Sequence, residues 1–253
     1  MAGTLYIVGT PIGNPDDITL RAVRILKRVA IVAAEDPRCT QALFARHAIH
    51  TPLTSYHNLN KEDKAPVLIR RLEEGRSMAL VSDAGTPMIS DPGAFLVTRA
   101  VAAGIRVVPV PGPSAVLAAL SASGLAGEAF VFLGSLPRQA ASRRRLLLRM
   151  RGDQCPLVLF ESPRRLRRTL REILAVLGNR RMALARDLTK SDESIVRGTA
   201  EELLRGLASR PGPSEITLVV EGSPRGARWN KNLARDRSVF GSGRGRSARE
   251  VPD

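Results

Sequence analysis

The sequence contains few of the residues that build disulfide frameworks and metal sites. It has two cysteines, three histidines and 4% aromatic residues in 253 positions. Cys39 and Cys155 match no metal-binding spacing, so we expect two reduced thiols and no bound metal. The N-terminus lacks a basic region followed by an apolar run, and no apolar segment is long enough to span a bilayer. We therefore predict a cytoplasmic protein with no membrane partner.

Positive charge is abundant and unevenly distributed. The formal net charge is +15. Most of the excess lies in residues 138–181, where 13 arginines accompany three acidic residues, and in a basic tail over residues 223–253. A focused positive field attracts a polyanion such as RNA, with strongly salt-dependent binding. The alternative is a solvated arginine-rich face without a partner.

Short apolar runs alternate with segments of helical periodicity along most of the chain. The runs predicted as strands are Leu5–Val8, Ala30–Ala33, Ser77–Val81, Val107–Val110, Phe130–Leu133, Leu157–Phe160, Met182–Ala185 and Ile216–Val220. Between them apolar residues recur three or four positions apart, as in Leu166, Leu170, Ile173 and Leu177. This alternation predicts an α/β protein with largely parallel sheets.

A proline-rich segment, Pro109–Pro113, is the predicted hinge between two α/β domains. We place one domain at residues 1–112 and the second at 113–222, with Ser114 capping the first helix of the second domain. Residues 223–253 have little periodic apolar content and a Gly/Ser/Arg-rich composition. That composition is typical of a disordered tail.

Three polar loops that contain glycine each follow a predicted strand. They are Gly9–Asp17, Ser82–Gly93 and Pro109–Ala115. In open α/β sheets small ligands bind at the carboxyl ends of the strands, where such loops expose backbone N–H and C=O groups. The alternative for Ser82–Gly93 is an ordinary turn into a helix capped by Ser90 and Asp91. Three such loops together favour a binding site, although none has the spacing of a P-loop or a dinucleotide fingerprint.

Acids at strand ends are candidates for acid–base chemistry. Asp36 and Asp83 follow predicted strands and could serve as bases or bind ribose hydroxyls, but capping and solvated turns are equally common uses. Glu161 is a better candidate because it ends a predicted buried strand. His57 has polar neighbours, yet a lone histidine is more often a surface residue than a catalyst.

Several motifs in one order and spacing resemble a single family. They are Thr10–Asn14 with Asp17–Thr19, Ala34–Thr40, Ser55–His57, Val81–Gly93, Pro111–Ala115, Ser123–Leu125, Phe160–Pro163 and Leu188–Lys190. The chain resembles the 16S ribosomal RNA cytidine 2′-O-methyltransferases of the tetrapyrrole (corrin/porphyrin) methylase superfamily. The resemblance covers roughly residues 4–222, and the string Ser82–Gly93 is highly specific to that family.

The resemblance implies two α/β domains, not of the Rossmann type, which form a homodimer and bind S-adenosylmethionine in the cleft between the domains. It implies no metal. The cofactor residues it implies are Asp83, Ala84, Gly85, Thr86, Ile89, Ser114, Ala115, Phe160, Glu215 and Thr217. The acceptor RNA is expected at Pro11, Gly13, Asn14, Arg38 and His57, and at Arg164 and Arg165 of the arginine block.

The implied reaction is an in-line displacement at a sulfonium methyl by a ribose 2′-hydroxyl in the small ribosomal subunit. Candidate bases are Asp36, Glu161 and Lys190, in no order. Lys190 could act as a base only with a lowered pKa, and could otherwise stabilise the developing alkoxide. Two alternatives stay open: a methyltransferase of the same superfamily acting on a tetrapyrrole precursor, and a non-catalytic RNA- or ribosome-binding protein.

Overall fold

The computed structural model describes residues 2–89, 93–207 and 214–223. The predicted caps Ser90 and Asp91, and all of the predicted disordered tail except Ser223, lie outside these residues. The described chain forms two five-stranded sheets, with helices on both faces of each. The mixed α/β class predicted from the sequence is therefore confirmed.

The first sheet is entirely parallel, in the order β3-β2-β4-β1-β5. Its strands are β1 (Thr4–Val8), β2 (Ile31–Ala34), β3 (Leu53–Ser55), β4 (Met78–Val81) and β5 (Arg106–Val110). Its helices are α1 (Leu20–Leu26), α2 (Pro37–Arg46), α3 (Lys61–Glu73) and α4 (Gly93–Ala102), with a 3₁₀ turn at Pro15–Asp17. Helices on both faces bury the sheet on both sides, as is usual for a parallel sheet.

All residues of the central strand β4 are apolar, and the packing on its two faces explains why. Met78 and Leu80 pack in the hydrophobic cluster that includes residues of α3 and α4, whereas Ala79 and Val81 pack with residues of α1 and α2. Successive side chains of a strand point to opposite faces, so a strand covered on both sides reads as a continuous apolar run. Because β4 is fixed in this way, the polar loop that follows it starts from a rigid position.

The second sheet has the order β6-β7-β10-β8-β9, and only its β6–β7 pair is parallel. Its strands are β6 (Val131–Ser135), β7 (Leu157–Glu161), β8 (Arg181–Arg186), β9 (Ser194–Thr199) and β10 (Ile216–Val220). Its helices are α5 (Ala115–Ser123), α6 (Ala140–Arg149), α7 (Pro163–Leu177) and α8 (Ala200–Arg205). The prediction of largely parallel pairing is wrong here, because β8 returns through a short loop to β9 without a crossover helix.

Helix α7 buries the apolar stripe that its sequence predicts. Leu166, Leu170 and Ile173 are fully buried and pack with strands of the second sheet. Burial of each such side chain stabilises the fold by about 1.5–3 kcal/mol. On the opposite face of this sheet, α5 packs with Ile12, which reaches across from the loop after β1. The two halves of the chain therefore share a hydrophobic contact beside the loops.

The chain passes from the first sheet to α5 through Pro111–Ser114. Gly9 and Gly112 lie backbone to backbone there, since a Cβ built on Gly112 would stand 2.9 Å from the Gly9 Cα. Only glycine permits so close an approach. The two sheets divide the chain on either side of this crossing, and the precise domain boundary after residue 112 stays a prediction.

Candidate active site

Polar loops meet at the carboxyl edge of the first sheet. Because its strands are all parallel, Thr10 after β1, Asp36 after β2, His57 after β3, Asp83 after β4 and Pro111 after β5 leave the sheet at the same edge. This is the edge at which open α/β sheets bind ligands. The ends of β6 and β7 and the start of β10 in the second sheet lie across from the loops that follow β4, β1 and β5.

A cavity of about 370 Å³ lies between these loops and the second sheet. Its lining combines both halves of the chain: Ile12, Ala84, Gly85, Thr86, Ile89, Ser114, Ala115, Ser135, Phe160, Glu161, Ser162, Ser214, Glu215, Ile216 and Thr217. The structure thus brings together nine of the ten residues expected to bind a cofactor. The exception is Asp83, whose Oδ1 instead accepts a hydrogen bond of 2.8 Å from the Asp36 backbone N–H.

Backbone geometry shapes the wall formed by residues 84–86. Gly85 has φ +79°, and a Cβ at this position would stand 3.2 Å from Ile12 Cγ2. The hydroxyl of Thr86 donates to the carbonyl of Pro113 at 3.2 Å, which ties this loop to the chain crossing. The Thr10 hydroxyl donates to the carbonyls of Ser82 and Gly85. These hydrogen bonds fix the conformation of the loop, so that its backbone lines the cavity.

The opposite wall consists of two paired strands. β7 and β10 run antiparallel with Glu161 opposite Ile216 and Phe160 opposite Thr217, so residues far apart in sequence become neighbours. Phe160 also packs edge to face against Phe132, with ring centroids 5.0 Å apart. This contact helps to fix the ring of Phe160 at the cavity.

Glu161 is a buried carboxylate in this wall. Its Oε1 accepts a hydrogen bond of 2.8 Å from the Ser162 N–H and lies 3.2 Å from Arg165 Nε. Its Oε2 accepts a hydrogen bond of 2.5 Å from the Thr169 hydroxyl. These partners fix the orientation of the carboxylate, and Arg165 compensates its buried charge. Of the three proposed bases, Glu161 is the one that lines the cavity.

Asp36 lies outside the cavity and caps helix α2. Its carboxylate accepts hydrogen bonds from the Arg38 backbone N–H at 2.9 Å and from the Arg38 side chain at 2.7 Å. These side-chain and backbone hydrogen bonds lower the pKa of Asp36 to about 2. Asp36 is therefore ionised at neutral pH and is a weak proton acceptor. The side chain of Arg38, which is expected at the RNA, is 91% exposed.

Lys190 belongs to a charged cluster at the junction of the two sheets. Its Nζ lies 3.1 Å from Glu215 Oε2 and 3.6 Å from Asp187 Oδ1. Burial acts to lower the pKa of Lys190, but hydrogen bonding and the charges of Glu215 and Asp187 outweigh it and raise the pKa. Lys190 thus remains protonated at neutral pH, which disfavours a role as base and suits a role as a cation.

Of the residues expected at the acceptor, Gly13, Asn14 and Pro11 lie beside the site, whereas His57 lies away from the cavity. Gly13 and Asn14 contact the loop between β8 and β9, where Thr189 Oγ1 accepts a hydrogen bond of 2.9 Å from the Asn14 N–H. Pro11 lies beside Gly85, with its carbonyl 3.4 Å from the Gly85 nitrogen. His57 lies after the edge strand β3, where its backbone N–H donates to Asn60 Oδ1, and it does not line the cavity.

An open groove of about 660 Å³ continues from the cavity. It shares Ile12 and Ser114 with the cavity and extends along Asp17, Thr19, the Pro111–Pro113 crossing and Thr189. A ligand in the groove would therefore meet a ligand in the cavity near Ile12. This arrangement provides separate but adjoining places for two substrates.

The arginines of residues 138–181, the arginine block, divide into buried and exposed side chains. Arg143 is buried, forms an ion pair with Glu172 and donates to the carbonyls of Pro137 and Arg138, so it stabilises the fold. Arg165 and Arg180 also donate to backbone carbonyls. The exposed members on α6 and α7 include Arg144, Arg145, Arg164, Arg168 and Arg171. Fewer arginines are thus exposed than the composition of the block suggests.

Sequence reasoning missed several cavity residues. Ile12, Ser135, Ser162, Ser214 and Ile216 line the cavity but were not expected to bind the cofactor. Ser135 ends β6, and Ser214 shortly precedes β10, so each stands at a strand end that meets the cavity. The pairing of β7 with β10 is what makes these positions adjacent, and chain order alone does not indicate that pairing.

Residues 2–89, 93–207 and 214–223 contain no group of three or more His, Cys, Asp or Glu side chains that could hold a metal ion. Within the same ranges, no helix combines the length and the apolar character needed to cross a membrane.

Two α/β units with a loop-lined cavity between them define a class of methyltransferase. The family model of the Tetrapyrrole (Corrin/Porphyrin) Methylases matches residues 4–204, and the chain belongs to this family. Within it, the chain is 48% identical over 221 residues to ribosomal RNA small subunit methyltransferase I of Halalkalibacterium halodurans, covering 87% of this chain and 76% of that protein. The protein of the same name from Thermotoga maritima is 43% identical over 220 residues, covering 87% and 99%.

Solved structures agree on the fold. Uroporphyrin-III C-methyltransferase from Thermus thermophilus, complexed with S-adenosylhomocysteine, matches with a TM-score of 0.61 and 24% identity over 85% of this chain and 97% of that chain. Cobalt precorrin-4 methyltransferase matches with a TM-score of 0.60 and 20% identity over 86% and 94%. The predicted family, fold class and methyltransferase activity are thereby confirmed.

Proposed function

We propose that this chain transfers the methyl group of S-adenosylmethionine to the ribose 2′-hydroxyl of a cytidine in 16S ribosomal RNA of the small ribosomal subunit. The observation that carries the proposal is the 48% identity, over 87% of the chain, to a relative named ribosomal RNA small subunit methyltransferase I. The geometry supports it, because a small-molecule cavity adjoins both an open groove and an arginine-bearing helix.

The residues of the cavity fit S-adenosylmethionine. Its volume of about 370 Å³ falls within the range of small-molecule sites. Gly85 leaves backbone exposed where a side chain would intrude, Phe160 offers an apolar face, and Ser114 and Thr217 offer hydroxyls. When bound, the cofactor supplies an electrophilic methyl group on a positively charged sulfonium and leaves as a neutral thioether. The solved relative with S-adenosylhomocysteine has the same fold.

The chain's own residues would orient the acceptor and remove its proton. The loop containing Gly13 and Asn14 is fixed by its contact with Thr189 and borders the groove, so it can position the ribose beside the cavity. We propose Glu161 as the acceptor of the hydroxyl proton, because it is the one candidate base among the residues that line the cavity, where Ser162, Arg165 and Thr169 hold its buried carboxylate. Protonated Lys190 would stabilise negative charge on the acceptor oxygen or its phosphate.

RNA would extend from the groove over the start of α7. Arg164 occupies the first turn of this helix, directly after the cavity residues Glu161 and Ser162, and is exposed. Arg168 lies one turn further along and is also exposed. Two guanidinium groups on one helix face suit successive phosphates of an RNA strand.

We further propose that the protein is cytoplasmic, acts as a homodimer and requires no metal.

The test is methyl transfer from radiolabelled S-adenosylmethionine to small ribosomal subunits that lack the modification, with a tetrapyrrole precursor as the competing substrate. We expect label in 16S RNA, on a ribose oxygen of one cytidine, with no effect of a chelator. Label on the tetrapyrrole alone would contradict the RNA substrate. Absence of transfer together with retained subunit binding would instead indicate a non-catalytic binding protein.

A further inference from the structure

The carboxylate of Asp187 is a buried hub between the two halves of the site. Its Oδ2 accepts a hydrogen bond of 2.6 Å from the Ser214 hydroxyl, and its Oδ1 accepts one of 3.0 Å from the Glu215 backbone N–H. Lys190 Nζ lies 3.6 Å from the same Oδ1. Only 5% of Asp187 is exposed. The acid therefore accepts two hydrogen bonds, both from residues of the cavity wall, and forms an ion pair with Lys190.

The backbone around Asp187 is also unusual. Asp187 and Thr189 have φ values of +50° and +67°, in the left-handed region that non-glycine residues seldom adopt. Such conformations persist where the surrounding structure over-determines them, and they cluster at functional sites. The backbone N–H of Asp187 donates to the Glu215 carbonyl at 2.9 Å, so side chain and main chain both bind the same neighbouring segment.

The same loop carries the contact with the acceptor side. Thr189 Oγ1 accepts from the Asn14 N–H at 2.9 Å, and a Cβ built on Gly13 would stand 2.6 Å from the Leu188 carbonyl. At Gly13 there is therefore no room for a side chain between the two loops. A displacement of the backbone at Asp187 would therefore reach the loop at Gly13 within two residues.

We propose that Asp187 is a positioning residue that holds the Ser214–Glu215 wall of the cofactor cavity and the Gly13–Asn14 acceptor loop in one arrangement. The inference rests on the proposed function, because it assigns the cavity to S-adenosylmethionine and the adjoining loop to RNA. Asp187 touches neither ligand in this role. It acts through Ser214 and Glu215 on one side and through Thr189 on the other.

Charge explains why a carboxylate occupies this position. Burial acts to raise the pKa of Asp187, but hydrogen bonds from Ser214 and from the Glu215 N–H, with the charge of Lys190, outweigh it and lower the pKa. The ionised acid accepts from all its donors at once. An amide offers one acceptor oxygen and places an N–H₂ group toward a neighbour, so Asp187→Asn removes the charge at nearly constant volume.

The test measures S-adenosylmethionine affinity by calorimetry and RNA methylation kinetics for wild type, Asp187→Asn and Asp187→Glu. We expect Asp187→Asn to weaken cofactor affinity about tenfold and to raise the KM for RNA, because buried hydrogen bonds to a charged group are lost. Asp187→Glu should recover most of the affinity. The matched control is Glu221→Gln, which breaks the ion pair with Arg181 beyond the carboxyl end of β10, whereas the cavity lies at its amino end, and should change neither affinity.

Two milder variants keep the test decisive if Asp187→Asn does not fold. Ser214→Ala removes one donor and should weaken cofactor affinity alone, whereas Thr189→Val removes the acceptor for Asn14 and should raise the KM for RNA alone. Wild-type affinities in folded Asp187→Asn, or in both milder variants, would overturn the positioning role. Failure of the wild-type protein to bind S-adenosylmethionine would instead overturn the proposed function.

Discussion

Thr10 and Gly85 exchange two backbone hydrogen bonds, with the Thr10 N–H donating to the Gly85 carbonyl at 2.9 Å and the Gly85 N–H donating back at 3.1 Å. This pair joins the loop after β1 to the loop after β4. One loop leads to Ile12 and the acceptor groove, and the other forms the floor of the cavity. The two proposed ligands therefore rest on loops that cannot move independently.

Gly85→Val should abolish S-adenosylmethionine binding. The new Cβ would stand 3.2 Å from Ile12 Cγ2, and a β-branched residue is strained at φ +79°. The control is Gly104→Val, where φ is +70° but no atom lies within 4 Å of the added Cβ. Both variants should lose about 1–2 kcal/mol of stability from left-handed strain. Calorimetry should show lost cofactor affinity in Gly85→Val only, and normal affinity there would mean that the cavity is wrongly assigned.

Replacing Arg164 and Arg168 together by Gln should weaken RNA binding and reduce the slope of log K against log salt by about one to two units. Both side chains are exposed on α7, next to the cavity. The control replaces Arg70 and Arg76 together by Gln. Both are exposed near the amino end of β4, at the opposite edge of the first sheet. Cofactor affinity should stay unchanged in both variants. An equal change of slope in the control would contradict a localised RNA surface.

Glu161→Gln should lower single-turnover methylation roughly a hundredfold with near-normal cofactor affinity, as expected for loss of a general base. Asp36→Asn should retain near-normal turnover, because Asp36 lies outside the cavity and its pKa is about 2. Lys190→Met should reduce the rate without abolishing its rise with pH, since the protonated lysine is not the base. Near-normal rates in Glu161→Gln would exclude that carboxylate as the proton acceptor.

Much of the fold was predictable because apolar periodicity reports burial. Eight of the ten strands coincide with predicted apolar runs, and the stripe of α7 is buried as expected. The missed strands β3 and β9 have no fully buried residue, so neither shows an apolar run. Helix α2 has little periodic signal, because it buries only Thr40 and Phe44. Its apolar stripe is too thin to be recognised.

Strand pairing and the site were predictable to different degrees. The order β7-β10-β8 depends on contacts between distant segments, which chain order does not indicate. The cavity set was expected from resemblance, while the residues alone suggested only polar loops at strand ends. Asp187 was not predicted as a functional residue, because its proposed role depends on a left-handed backbone conformation and on two hydrogen bonds from a distant segment of the chain. Neither feature has a signature in the sequence.

The Asp36–Arg38 pair should make stability depend on pH in acid. The pKa of Asp36 is lowered to about 2 in the folded protein, below its ordinary value near 3.9, so the unfolded chain binds more protons between these values. The pair's contribution is therefore complete above about pH 4 and is lost as the pH falls through about 2.

Asp36→Asn keeps a residue that caps helices well and removes only the charge. Urea unfolding across this range should show a difference from wild type at neutral pH that vanishes near about pH 2. Arg38→Gln should reproduce only the part of the effect that comes from the side-chain ion pair, because it keeps the backbone N–H of residue 38 that also donates to the carboxylate. The double variant should add nothing to Asp36→Asn. A difference that persists unchanged into acid would contradict the lowered pKa.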